Sequence, residues 1–118
     1  MIKGIGIDIV EINRIKEIVH RQPAFVERIL TDSECKCYHM LQGKRQAEFL
    51  AGRFAAKEAF VKAAGTGISK DYNWHDIIVA NEESGKPIIN VKGVNDRLHI
   101  SISHSEMYAV AQVIIESL

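Results

Sequence analysis

Residues Glu48–Gly67, EFLAGRFAAKEAFVKAAGTG, decide how the chain folds. Ala47, Leu50, Phe54 and Val61 fall on one stripe at the helical period, and Phe49 and Phe60 form a second. Gly52, Ala56, Ala59 and Ala63 lie between them, small enough to let another backbone come close. A helix that is apolar or small on nearly every side belongs at a domain's centre. Glu58 interrupts the Phe54/Val61 stripe, and Lys62 follows one turn later on its flank. An unpaired carboxylate on a buried face is costly, so Glu58 needs a partner. Two readings are open: a Glu-to-Lys pair at i,i+4, contributing about 0.3–0.5 kcal/mol, or a carboxylate aimed at a metal with an ammonium beside it for a phosphate.

Upstream, Thr31-Asp32-Ser33-Glu34 is a capping box opening a helix that runs to about Leu41. Gly43 ends it, Lys44-Arg45 begins the central helix, and Gly65-Thr66-Gly67 stops that helix with a left-handed glycine cap. Ile2–Val10 alternates as a strand, with Ile5, Ile7 and Ile9 on one face and Gly4, Gly6 and Asp8 on the other. The glycines mark close approach of a backbone or ligand, and the expectation is an uncovered face ending at Asp8. Asp8 reads either as a helix cap or as a functional carboxylate; Asn13 is an equally good cap nearer the next helix. That helix spans Asn13–Arg21 with Ile15, Ile18 and Val19 inward. Pro23 suits the first turn of the following one, which carries Phe25, Val26, Ile29 and Leu30. Arg14 and Arg21, two turns apart, and Arg28 beyond them form either a solvated face or a docking face for an acidic partner.

The second half reads as strands at Ile77–Asn81, Ile88–Val91, Leu98–Ser103 and Tyr108–Ile115. Glu83-Ser84-Gly85-Lys86 joins the first two as a hairpin, and Ser103–Met107 joins the last two, with His104 among Ser101, Ser103 and Ser105. Helices first and strands later, around one opening strand, indicate an α+β domain: a largely antiparallel sheet packed on the long central helix.

At 118 residues this is one domain, residues 1–118. Fifteen basic residues balance fifteen acidic ones, which argues against a general nucleic-acid binder. No stretch reads as a signal peptide or approaches the ~20 apolar residues of a membrane span, so a cytoplasmic protein is expected. Cys35 and Cys37 make a poor zinc signal and read as free thiols; His20, His39, His75 and His99 are scattered surface or structural residues.

Three segments taken together go further: Gly4-Ile5-Gly6-Ile7-Asp8, Phe54-Ala55-Ala56-Lys57-Glu58-Ala59-Phe60-Val61-Lys62, and Ser101-Ile102-Ser103-His104-Ser105. In these, in its length and in the order of its elements, the chain resembles the 4′-phosphopantetheinyl transferases, specifically the short bacterial holo-[acyl-carrier-protein] synthase group. The resemblance implies that Asp8 and Glu58 ligate magnesium while Lys62 contacts the pyrophosphate of coenzyme A. A serine of apo-acyl carrier protein would attack the β-phosphorus, with Glu58 taking its proton directly or through a metal-bound water. Longer relatives carry a second acidic residue where Val10 stands and often a tryptophan where Phe54 stands, so water or ligand must complete the metal's shell here. Lys44, Arg45 and Arg53 are candidates for a 3′-phosphate. The resemblance places Gly85-Lys86-Pro87 and Ser103-His104-Ser105 around the nucleotide, and the arginines Arg14, Arg21 and Arg28 are then the candidate docking face for the carrier. It also implies a homotrimer with active sites between subunits, for which the bare glycine face offers surface to bury. The competing classes are a non-catalytic module binding an acidic protein through the arginines, and a magnesium-dependent nucleotide hydrolase.

Overall fold

The computed structural model describes residues 1–68 and 70–118. Strand β1 (Ile2–Glu11) leads directly into helix α1 (Ile12–Arg21), followed by α2 (Phe25–Ile29), α3 (Asp32–Met40) and the long α4 (Lys44–Ala64). A short 3-10 turn, Trp74–Asp76, precedes β2 (Ile77–Asn81), β3 (Pro87–Val91), β4 (Arg97–His104) and β5 (Tyr108–Glu116). The α+β class expected from the sequence is what forms. The strands, however, divide into two antiparallel sheets, one ordered β1-β5-β4 and one consisting of the β2–β3 hairpin.

Helix α4 lies across the inner face of the larger sheet, and the glycines of β1 explain how closely. A Cβ on Gly4 would stand 2.0 Å from the Ala63 carbonyl oxygen, and one on Gly6 would stand 2.0 Å from that of Ala59. No side chain fits there, so strand and helix backbones meet directly. This overturns the expectation that the glycine face lies uncovered: its bareness is what lets α4 cover it. The isoleucine face is the open one, with Ile5, Ile7 and Ile9 60%, 57% and 64% exposed. On the inner side Ala55, Ala56, Ala59 and Phe60 pack with Ile77, Val79, Val113 and Ile115 in one apolar cluster. A second cluster, including Ile15, Phe25, Ile29, Leu30 and Leu50, fastens α1 and α2 to the first half of α4.

The capping box forms: Thr31 Oγ1 accepts from the Glu34 amide at 3.3 Å, and Glu34 Oε1 accepts from the Thr31 amide at 2.8 Å. Gly65 closes α4 in the left-handed region at φ 77°. Helix α1 starts earlier than expected and has no side-chain cap, because the Ile12 amide donates to the Met107 carbonyl at 2.9 Å. A tertiary bond therefore replaces the Asn13 cap. Pro23 sits in the turn ahead of α2, whose N-cap is Ala24.

A candidate active site divided between two flanks of one helix

Asp8 and Lys62 come together at the β1 side of α4. Strand alternation turns Asp8 to the glycine face, and the close seating of β1 on α4 brings it to the last turns of the helix. Lys62 Nζ donates to Asp8 Oδ1 at 3.0 Å and to the Ile7 carbonyl at 3.1 Å. Thus Lys62 pairs with Asp8 rather than with Glu58 one turn earlier on its own helix. Glu58 is half-buried, and burial first, then the Asp8 charge, push its carboxyl above the ordinary carboxylate range, while Lys62 opposes them. A divalent cation beside Asp8 would relieve the strain that burial and the Asp8 charge place on the Glu58 carboxylate, and the half-exposed Lys62 ammonium alongside is placed to meet a phosphate. Among the described residues no third His, Cys, Asp or Glu joins the two carboxylates. A hard cation that keeps several waters fits such a donor set; a metal needing a full protein cage does not.

The expected nucleotide residues gather elsewhere. Arg53 lies nine positions before Lys62 on α4, and Phe49 nine before Glu58. Nine residues are about two and a half helical turns, so these side chains leave the opposite flank. There a hollow of about 330 Å³ is lined by Arg45, Glu48, Phe49, Arg53, Asn81 and His104. The Arg53 guanidinium lies 4.2 Å over the Phe49 ring and donates to Asn81 Oδ1 at 2.6 Å. Asn81 Nδ2 in turn donates to the Gly85 carbonyl at 2.8 Å, tying the Gly85-Lys86-Pro87 turn to this flank. His104 Nδ1 is 3.6 Å from Glu48 Oε2. The two flanks look onto the two edges of the same sheet, Asp8 on β1 and His104 on β4, with β5 between them.

The remaining expected residues are more dispersed. Lys44 lines a separate hollow of about 300 Å³ between α1 and α4, together with Lys16, His20 and Tyr38. Ser103 stands opposite Val110 on the outer side of its strand, one position from the inward Ile102. Ser105 shapes the β4–β5 turn, its Oγ accepting from the Tyr108 amide at 3.2 Å. Arg14, Arg21 and Arg28 are all exposed, and among the described residues none makes an ion pair.

One charged constellation escaped the sequence reading. Lys57, next to Glu58, has no exposed surface, and its Nζ donates to Glu34 Oε1 at 2.6 Å and to the Ile29 and Trp74 carbonyls at 2.7 and 3.2 Å. Glu34 Oε2 accepts from the Val79 amide at 2.8 Å. The available signal was position: Lys57 falls three residues after Phe54 and four before Val61, on the buried stripe itself.

The chain matches the 4′-phosphopantetheinyl transferase superfamily over residues 4–114, and it belongs to that family. Its relatives narrow the class. It is 59% identical over 118 residues to the holo-[acyl-carrier-protein] synthase of Anoxybacillus flavithermus (strain DSM 21510 / WK1), covering 100% of this chain and 98% of that one. To the holo-[acyl-carrier-protein] synthase of Geobacillus sp. (strain WCH70) it is 55% identical, covering 100% and 99%. Its fold matches a crystal structure of a holo-(acyl-carrier-protein) synthase from Bacillus anthracis str. Ames in complex with CoA (3′,5′-ADP). The TM-score is 0.94 at 52% identity, over 100% of this chain and 99% of that one. No helix among the described residues is long and apolar enough to cross a membrane.

Proposed function

We propose that this chain is a holo-[acyl-carrier-protein] synthase. It transfers 4′-phosphopantetheine from coenzyme A to a serine of apo-acyl carrier protein, releasing adenosine 3′,5′-bisphosphate, and so acts in fatty acid biosynthesis in the cytoplasm. The observation that carries the reading is the meeting of Asp8, Glu58 and Lys62 on one flank of α4 in a chain with full-length synthase relatives. Asp8 and Glu58 would hold magnesium, whose charge neutralises the pyrophosphate when bound. Lys62 is half-exposed and free to exchange its Asp8 contact for a phosphate oxygen. The serine oxygen forms a bond to the β-phosphorus as the bond from that phosphorus to the bridging oxygen breaks, and the serine proton passes to Glu58 directly or through a bound water. The leaving nucleotide carries away that oxygen. Positioning and electrostatics supply most of the acceleration in such transfers. Arg45, Arg53 and His104, with the Gly85-Lys86-Pro87 turn, form the nucleotide rim, and Arg14, Arg21 and Arg28 receive the acidic carrier. A purely non-catalytic module would leave the Asp8–Glu58–Lys62 arrangement without a role.

The assembly is a homotrimer with its sites at the seams. Two features support it. Ile5, Ile7 and Ile9 form an exposed apolar row, continued across the sheet by the half-buried Val110 and Ile114. The carboxylates and the nucleotide rim also leave α4 in opposite directions, toward opposite sheet edges. A ring of copies, each presenting its β1 edge to a neighbour's β4 edge, would join the two halves. Incubation with coenzyme A, magnesium and apo-carrier protein should add one phosphopantetheine to the carrier by mass. Sedimentation should give about three times the 13.2 kDa chain mass. Mixing Glu58→Ala with Arg45→Ala subunits should restore activity, since some seams then combine two intact halves. A fully active monomer would sink the seam.

A further inference from the structure

We infer that the buried Lys57–Glu34 pair is a positioning device for the carrier-protein half of the reaction, holding the α1–α2 face in fixed relation to Glu58. The inference rests on the docking role proposed above for that face. One ammonium joins three elements to α4. Its acceptors are the carbonyl of Ile29, the last residue of α2 and the neighbour of Arg28; the carboxylate of Glu34 on α3; and the carbonyl of Trp74. All three donors of the lysine thus have partners. Glu34 is fully engaged as well, by the Thr31 and Val79 amides in addition to Lys57.

Cohesion alone does not need this arrangement, because apolar residues of similar volume hold a core together as well as a buried ion pair or better. What directed bonds add is a single orientation. The neighbouring contacts are apolar or aromatic and permit sliding: Phe54 stacks on Trp74 at 5.3 Å and 26°, and meets Phe25 of α2 at 6.0 Å. Lys57 fixes the angle that those rings leave soft. Since the next residue is Glu58, the same bonds set where the site carboxylate stands relative to a carrier seated on α1 and α2. The nucleotide rim is held by its own links, Arg53 to Asn81 and Asn81 to Gly85.

The test uses the full-length protein with Lys57→Met, Glu34→Gln and the doubly neutral Lys57→Met/Glu34→Gln, each normalised to its folded fraction. In the double variant kcat at saturating carrier should fall by about thirtyfold or more, as expected when reacting groups are misplaced by a fraction of an ångström. Coenzyme A affinity, read by calorimetry, should stay within about threefold, because the rim has separate links. Should the lysine variants not fold, Glu34→Gln alone decides the matter, since it keeps the ammonium and its two carbonyl acceptors; an intermediate fall in kcat is then expected. A folded double variant with unchanged kcat overturns the inference. So does a parallel loss of carrier turnover and coenzyme A affinity, which would make the pair a general support of the fold. Arg21→Glu is measured alongside and should raise the carrier KM. If the carrier KM does not rise, the docking reading fails on its own account, whatever the Lys57 variants show.

Discussion

Two of the lysines on helix α4, Lys57 and Lys62, stand five residues apart, each bonded to a carboxylate from another element, and the two pairs are opposites in almost every other respect. Lys57 and Glu34 are sealed from solvent, with every bonding group of the pair engaged. Lys62 is half-exposed and Asp8 lies partly open beside a second carboxylate. The chemistry of the partners is the same; the difference is what surrounds them. A buried pair cannot be broken without stranding a charge, so it fixes geometry. An open pair contributes little to stability and can be exchanged for a ligand. The first suits a frame and the second a reaction.

The sharpest division between them should appear in activity. Asp8→Ala or Glu58→Ala should lower phosphopantetheine transfer by at least about 10²–10³-fold, the usual loss when electrostatic stabilisation is removed from a polar site. The denaturant midpoint should barely move, since both side chains are partly exposed. Near-normal turnover at limiting magnesium in either variant would remove that residue from the site.

The reverse pattern is expected at the buried pair. Lys57→Met strands the Glu34 carboxylate and two carbonyls, and should destabilise the fold by about 3–5 kcal/mol. Urea unfolding checks this, and restoring part of the loss with Glu34→Gln would identify the stranded charge as its source. A loss below about 1 kcal/mol would place Lys57 with ordinary surface pairs and erase the contrast.

How much of this was legible beforehand follows the same division. Glu58 announced itself because a charge interrupts an apolar stripe, Lys62 because it follows one turn later on the flank, and Asp8 because it ends the glycine-bearing face of its strand. Local signals also located the capping box and the Gly65 stop, since each depends on neighbours in sequence. The glycine face was misread for a physical reason. Alternation says which residues share a face, whereas only tertiary packing says what covers it, and Gly4 and Gly6 are bare because Ala63 and Ala59 press on them. Lys57 was passed over because its partners, Ile29, Glu34 and Trp74, are distant in sequence. Lys44 stands next to Arg45 in the chain, yet one helical step turns it toward α1 and away from the rim. The split of the site between flanks was written in the nine-residue spacings, but it becomes visible only once β1 and β4 are known to be opposite edges.

A smaller effect is expected at the proposed docking face, whose arginines are exposed. Arg14→Glu or Arg21→Glu should weaken carrier binding several-fold, chiefly through the association rate, and wild-type binding should weaken with salt. Coenzyme A affinity should hold. Surface plasmon resonance at two ionic strengths separates these outcomes, and salt-independent carrier binding would remove the arginines from docking.

The smallest expected change is a displaced titration, and it tests how the open pair governs Glu58. In the metal-free protein Glu58 titrates above its ordinary value of 4.5, because burial and the Asp8 charge disfavour the carboxylate, while Lys62 favours it. The folded chain therefore holds a proton that the unfolded chain would release in the interval above 4.5. This contribution to stability is complete below the unfolded value and is lost as pH rises through the folded one. Lys62→Met removes the favouring charge, so Glu58 should titrate at still higher pH and the interval should widen. Magnesium needs the carboxylate ionised, so its affinity should fall off at higher pH in the variant than in the wild type. Carboxyl carbon shifts followed by NMR in chelator, with Glu58→Gln identifying the resonance, measure the first effect; calorimetric titration of magnesium measures the second. If Lys62→Met lowers the Glu58 pKa or leaves it in place, the ammonium acts on Asp8 alone. The open pair would then be a second local clamp, and the contrast with Lys57 would be one of burial without a difference in role.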